Sequence, residues 1–435
     1  MTTAKTPVVP MSIQRNNTTA IFIIGFLFFI FGFVTWLNGS LIQFLKLVCQ
    51  LENDVQAFFV TSAFYMAYFF LAIPSSLILQ RTGFKNGMSL GLLVMAVGSI
   101  IFIPAANERS FALFLTGLFV QGMGLALLQT ASNPYISIIG PIESAAKRIS
   151  IMGICNKIAG IISPLILSAV LLSNATELEE KINATTGTAE KEQLLNALAG
   201  RVITPYIILA VVLAILAFML LKSPLPEPVL EKEETTTSPT VVVNKTSIWQ
   251  FPHVLMGALC IFLYVGVEVM AGDAIGVYGK TMGMPLDETK YFTTFTLIAM
   301  LVGYVVGIIT IPKILSQQTA LKISAILGIV FSIGVYLTDG YVAISFIALL
   351  GLANALMWPA IWPLAIDKLG KFTKTGSALL VMGIAGGAIV PLIYALLKNK
   401  DGLNIPNHLA FFICMLPCYI YILYYAMKGH KAGLK

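Results

Sequence analysis

The sequence predicts an all-α membrane protein with twelve transmembrane helices arranged as two six-helix halves, and three observations predict it. Of its 435 residues 57% are hydrophobic and only 11% charged, with a mean hydropathy of +0.88, whereas soluble domains carry about 25% charged residues. The apolar residues fall in runs of the ~20 residues that a helix needs to cross a ~30 Å hydrocarbon core. A polar stretch near the middle of the chain divides those runs six and six.

The runs lie at 19–45, 56–80, 87–106, 110–139, 149–173, 203–222, 250–279, 290–312, 319–338, 341–367, 375–397 and 407–428. Each must be helical, because lipid offers a backbone amide no other partner. The runs are continuous rather than alternating, which excludes a transmembrane barrel. The first 18 residues are polar, and the run after them is too long for a signal peptide and lacks a small-residue cleavage site, so the first span is expected to be retained. Between spans five and six, the patterning of 174–202 (ELEEK, EKEQLLNALAG) predicts a short helix outside the membrane. The Pro-, Thr- and Glu-rich segment 223–249 reads as a flexible cytoplasmic linker joining an N-terminal half, 1–222, to a C-terminal half, 250–435.

With both termini placed in the cytoplasm, seventeen of the 27 Lys and Arg residues lie inside, nine lie outside, and one, Lys157, falls within a span. That bias supports an even number of spans. The net charge of +7 follows from these loops and needs no nucleic-acid partner. The halves also resemble each other weakly. Lys147, Gly160 and Pro164 recur 227 positions later as Lys374, Gly387 and Pro391, the last two of each set within AGIISPLI and GGAIVPLI. Gly-Leu-Ala occurs at 124–126 and again at 351–353, followed by Pro134 and Pro359. Parallel repeats of this kind are built into some secondary transporters.

A charge inside a span costs at least ~2.5–3.5 kcal/mol and is a functional candidate by default. Three lie deep: Lys157 in span five, and Glu268 and Asp273 in span seven. The two acids are about 140° apart on an ideal helix, so they share a face only if the helix breaks, which Gly266, Gly272 and Gly276 would allow. The plainer reading is a structural ion pair between Lys157 and one acid across the halves. Asp367, beside Lys368 at the end of span ten, reads as an interfacial salt bridge.

Polar side chains with aromatic neighbours form the second constellation: Trp36 and Asn38 in span one, Gln129 and Asn133 in span four, Asn156 in span five, and Asn354, Trp358 and Trp362 in span ten. Amides that hydrogen-bond hydroxyls and indoles that cover ring C–H faces are the chemistry of sugar binding. Single amides in membrane helices also serve only to join helices, but their concentration in a few spans points to a lined cavity. The five cysteines lack metal-ligand spacing and read as packing residues. The three histidines lie near span ends or in the tail. There is no HExxH, GxSxG, P-loop or zinc motif, so no enzyme activity, metal site or resident cofactor is expected.

At FFIFGFVTWLNGSLIQFLK, LLQTASNPYISIIGP, LYVGVEVMAGDAIGVYG and TKTGSALLVMGIAGGAIVP the chain resembles the fucose permease family of the major facilitator superfamily, which includes fucose–proton symporters, glucose/galactose transporters and N-acetylglucosamine permeases of Gram-negative bacteria. The resemblance runs along the whole chain. It implies a monomeric carrier in the bacterial inner (cytoplasmic) membrane, importing a monosaccharide by alternating access on an ion gradient. The substrate would be a neutral hexose such as glucose, galactose or mannose, or N-acetylglucosamine. Proton-coupled members resemble this chain but carry an aspartate and a glutamate where it has Gly39 and Gln129, and neither of those can titrate. Glu268 falls where those members have an uncharged amide, and Lys157 replaces a small polar residue. The acidic chemistry has thus moved to span seven. Three outcomes stay open: Na⁺ held by Glu268 and Asp273, a proton on Glu268 tuned by Lys157, or uniport with Lys157 in the place of the ion. Coupled symport is favoured, with Na⁺ slightly ahead of H⁺. An exporter of the same superfamily, or a sensor with a transporter fold, is the alternative. The loop QRTGFKNG (80–87) resembles the superfamily's loop between spans two and three, where Arg81 and Lys85 would gate the inward face, but it lacks the usual aspartate.

Overall fold

The computed structural model describes residues 11–139, 145–185, 187–225, 247–311, 314–369, 372–399 and 402–433. The first span consists of α1 (Met11–Thr35) and α2 (Asn38–Val48), interrupted at Trp36 and Leu37. The next helix, α3 (Asp54–Asn107), has 54 residues, about 81 Å at 1.5 Å per residue. That is more than twice the membrane core, and the chain turns within it at Gly83, whose φ of 78° and ψ of 173° are not helical. A side chain would be strained at that φ. Spans two and three are therefore its two arms, and the eleven helical runs able to cross a membrane among the described residues make twelve spans.

The N-terminal half continues with α4 (Phe111–Ile138), α5 (Ala145–Leu171), α6 (Ala175–Ala184), α7 (Thr188–Gly200) and α8 (Ile203–Lys222). Where the sequence predicted one short helix between spans five and six, there are two, because Thr185 is extended and ends α6. Most of the predicted linker, 226–246, lies outside the described residues.

The C-terminal half comprises α9 (Pro252–Gly272), α10 (Ile275–Thr281), α11 (Leu286–Thr289), α12 (Phe292–Thr310), α13 (Gln317–Leu337), α14 (Gly340–Asn354), α15 (Met357–Ile366), α16 (Thr373–Met382), α17 (Gly386–Lys398) and α18 (Asn407–Met427). Span seven is broken between α9 and α10, as its glycines allow. The break is shallow: Asp273 and Ala274 keep helical angles, and the Ala274 amide reaches back five residues to the Val269 carbonyl. Spans ten and eleven are interrupted in the same manner, at Ala355–Leu356 and at Gly383–Ala385.

Helix starts are capped where the sequence supplies a short polar side chain: Asn53, Ser110 and Ser316 each accept from the amide three residues on. Between helices, glycine sets the approach. A Cβ on Gly32 of α1 would fall on the Asn156 carbonyl of α5, which pins the two helices at backbone distance. Across the seam between the halves, α5 packs on α12 and α3 packs on α16 and α17, its span-two arm meeting α17 where the Ser62 hydroxyl donates to the Ala388 carbonyl. Large apolar side chains such as Phe22, Ile309 and Leu337 point outward, the arrangement of a protein whose solvent is lipid.

Candidate functional site

A cavity of about 100 Å³ lies between the halves. Of the residues singled out in the sequence, Trp36, Gln129, Asn133, Asn156, Lys157, Glu268 and Trp358 line it. Trp36 lies in the interruption of span one, just after the first segment ends at Thr35, and the indole lies between two glycines of opposite halves. A Cβ on Gly160 would stand 2.5 Å from its Cδ1, and one on Gly272 would fall on its six-membered ring. The indole Nε1 donates to Asn156 Oδ1 at 3.2 Å, and Asn156 Nδ2 donates to the Phe28 carbonyl at 3.4 Å. One indole edge and one amide are thus fixed before any ligand arrives.

Lys157 Nζ donates to Glu268 Oε1 at 2.9 Å, with side-chain exposures of 6% and 12%. The ammonium also stands 4.2 Å from the Trp36 ring centroid, a cation–π contact strengthened by burial. Opposed charges leave this wall of the cavity neutral. The phenols of Tyr65, Tyr264 and Tyr304 lie close enough to feel the Glu268 charge. Opposite, Gln129 Nε2 donates to the Tyr68 hydroxyl at 3.0 Å. Trp358 stacks on Trp362 with centroids 5.3 Å apart. The tyrosines were not singled out in the sequence, where an aromatic in an apolar span carries no signal of which way it faces.

The remaining candidates lie elsewhere. Asn354 is fully buried, and its Oδ1 accepts from the Tyr419 hydroxyl at 2.8 Å. Trp362 is 2% exposed behind Trp358. Asn38 is fully buried with neither amide atom hydrogen-bonded. Asp273 is fully buried at the α9–α10 break, with no partner for either carboxyl oxygen. Among the described residues Asp367 makes no ion pair, and its carbonyl is held by His253 Nε2 instead. Lys85 donates to the Ser223 carbonyl at 2.8 Å, which ties the Gly83 turn to the end of α8, and Arg81 is exposed. Among the described residues no group of three or more His, Cys, Asp or Glu could hold a metal ion.

A second constellation closes the end of the bundle that carries α6 and α7. Asp54 at the start of α3 pairs with Lys46 and, across the seam, with Lys398 at 2.5 Å. Lys280 meets Glu179 of α6 at 2.5 Å. Lys290 Nζ donates to Asp287 at 2.6 Å and to the Leu172 carbonyl at 2.7 Å. The Asp287 carboxylate accepts from the Ala175 and Thr176 amides at 3.2 Å each, so the C-terminal half caps a helix of the N-terminal half. Gln43 donates to the Thr289 carbonyl, and Ser168 to the Lys290 carbonyl. Among the described residues no ion pair joins the halves at the opposite end. The charges of this clamp were legible only as loop charges, since the partners that cross the seam, Lys280 with Glu179 and Lys398 with Asp54, are far apart in the chain.

The family model described as Major Facilitator Superfamily matches residues 24–395. The chain is 34% identical over 426 residues to a protein of Brucella abortus (strain 2308) named Glucose/galactose transporter, covering 97% of this chain and 96% of that one. It is 26% identical over 383 residues to the L-fucose-proton symporter of Escherichia coli (strain K12), covering 88% and 87% of the two chains. Among solved structures it resembles the Major Facilitator Superfamily transporter FucP in the outward conformation, with a TM-score of 0.75 at 25% identity over 95% of this chain and 99% of that one.

Proposed function

We propose, from the premise that this chain belongs to the major facilitator superfamily, that it imports a neutral monosaccharide by alternating access through the bacterial inner membrane. It is a carrier and not an enzyme. The observation that carries the reading is the cavity: amides of Gln129, Asn133 and Asn156 face indoles of Trp36 and Trp358 around a charge-neutral Lys157–Glu268 wall. Hydroxyl-rich, uncharged rings need this combination of donors, acceptors and aromatic faces. The names of the relatives point to the same substrate class, a hexose such as glucose or galactose. An exporter of apolar compounds would not need three amides in its cavity.

In this proposal both termini face the cytoplasm, the α6–α7 end faces outward, and the halves 1–222 and 250–435 rock against each other as units of a monomer. The clamp at the α6–α7 end then makes the structure one with its outer entrance shut. Import is coupled to a cation through the acids of span seven, Glu268 and Asp273. The proton becomes the better candidate than Na⁺, because a relative is named as a proton symporter. The 2.9 Å pair favours a second reading, a uniporter in which the Lys157 ammonium already fills the place of the ion. Counterflow of labelled hexoses and amino sugars in proteoliposomes, with and without a proton or Na⁺ gradient, tests both. Exchange of at least one hexose is expected. Exchange of none of them overturns the substrate class, and accumulation unaffected by either gradient selects the uniporter.

A further inference from the structure

We propose that Asp273 is a proton-binding site that controls the outer entrance, which shuts only over its neutral carboxylic acid. The proposal rests on the outward assignment of the α6–α7 end. It deepens the coupling reading by giving the two acids of span seven different tasks.

Asp273 sits in the α9–α10 break with no exposure to solvent, and neither oxygen has a hydrogen-bond partner. It lies at the seam between the halves. A Cβ on Gly39 of α2 would come 3.3 Å from Asp273 Oδ1 and 2.6 Å from Thr293 Oγ1. The Gly39 amide lies beside the carboxyl without hydrogen-bond geometry. The nearby hydroxyls are spent on carbonyls of the break: Thr293 donates to Gly272 at 2.8 Å, and Thr296 donates to Ala271 at 2.7 Å.

The charged and titratable groups that act on Asp273 are Glu268 on its own helix, Lys157 on α5 and Tyr65 on α3. Lys157 is the single base, and it is already bound to Glu268 at 2.9 Å. Two acids therefore share one cation, and Asp273 is the acid left over. An ionised carboxylate buried without a partner is too costly to persist, and such a group takes up a proton instead. When the outer end parts, water reaches the seam and the carboxylate can ionise. Protonation and closure are then linked, and each favours the other by the same free energy. A proton from external water adds to a carboxylate oxygen of Asp273 as the entrance shuts, forming the O–H bond and leaving the group neutral.

The sign of the response separates this site from the clamp. Acid would protonate Asp54, Glu179 and Asp287, weaken their pairs with lysines, and open the entrance. Acid acting through Asp273 shuts it. Ser168 reports the state, because it is fully buried at the seam with its hydroxyl on Ser40 at 2.9 Å and on the Lys290 carbonyl at 3.1 Å. The experiment labels Ser168→Cys with an impermeant maleimide in right-side-out vesicles, in a chain whose five native cysteines are replaced. The exposed Gln50→Cys at the same end gives the reference rate, which cancels the thiol's own ionisation.

The Ser168-to-Gln50 rate ratio should fall about ten-fold between about pH 8.5 and about pH 5.5 at constant Na⁺. With Asp273→Asn added, it should be low and flat across that range. A flat or rising ratio in the parent overturns the proposal. So does a pH response that survives Asp273→Asn, or a ratio that follows Na⁺ at constant pH. If Asp273→Asn does not reach the membrane, the parent ratio decides alone. No sugar is needed, so an error in the substrate class would not touch the result.

Discussion

Lys157 of α5 and Glu268 of α9 are joined by a 2.9 Å ion pair across the seam between the two halves, and the ammonium sits 4.2 Å from the Trp36 ring. Removing one member leaves the other buried and uncompensated, which costs about 3–5 kcal/mol, whereas replacing both with neutral groups can be nearly free. Lys157→Ala is therefore expected to lower thermal stability in detergent sharply, and Lys157→Ala with Glu268→Gln to regain most of the loss. A double variant as unstable as the single one would show that the pair is not what holds this wall.

Glu268→Gln alone keeps the side-chain shape and frees Lys157 from its partner. If Glu268 couples sugar to the ion, gradient-driven accumulation should drop at least about ten-fold, which is about 1.4 kcal/mol of lost coupling, while exchange at equal concentrations persists. Paired uptake and counterflow assays on the same vesicles check this. Undiminished accumulation removes Glu268 from the coupling role.

The Trp36 indole lies between Gly160 and Gly272, one from each half, with no room for a methyl group on either. Gly160→Ala or Gly272→Ala should tilt the ring and break its bond to Asn156, raising KM for the sugar by about ten-fold, or about 1.4 kcal/mol, with the fold retained. Transport kinetics beside a melting curve distinguish a displaced indole from a destabilised bundle.

Gln129 is held by the Tyr68 hydroxyl at 3.0 Å. A neutral hydrogen bond from Gln129 to a sugar hydroxyl is worth about 0.5–1.5 kcal/mol, so Gln129→Ala should raise KM roughly two- to ten-fold. Tyr68→Phe should raise it less, and should add nothing in the Gln129→Ala background. An additive double variant would mean that Tyr68 touches the sugar itself.

Asp54 carries two lysines, Lys46 and Lys398, and only the second belongs to the opposite half. Asp54→Asn leaves those ammonium groups facing each other and should open the α6–α7 end, increasing labelling of Ser168→Cys by roughly five-fold, about 1 kcal/mol. Adding Lys398→Met should reverse most of that increase. Failure to reverse it would place the closing force in the Lys280–Glu179 and Asp287 contacts instead.

Much of the architecture was legible because lipid forces every span into a helix of similar length, and α3 needed only the turn at Gly83 to resolve into two. The cavity was legible in part. Gln129, Asn133 and Asn156 carry the same signal as Asn38 and Asn354, a lone amide in an apolar run, yet the first three line the cavity and the last two do not. Helix rotation decides between them, and the interruptions after Thr35 and after Asn354 set that rotation by packing rather than by local sequence. Tyr65, Tyr68, Tyr264 and Tyr304 are invisible for a related reason, since a phenol among apolar residues looks alike facing lipid, core or cavity. The pairing of Lys157 with Glu268 was readable as a possibility because charges within spans are so few.

The cap that Asp287 places on α6 has a consequence of its own. A helix of ten residues is too short to hold its shape in water unaided, and its first amides are satisfied by a carboxylate belonging to the other half of the chain. In the proposed cycle that carboxylate leaves whenever the α6–α7 end parts, and α6 should then fray. The folded segment is thus an epitope that exists in one state of the transport cycle only. A binder that recognises the folded segment would, in that cycle, hold the α6–α7 end shut without competing for the sugar.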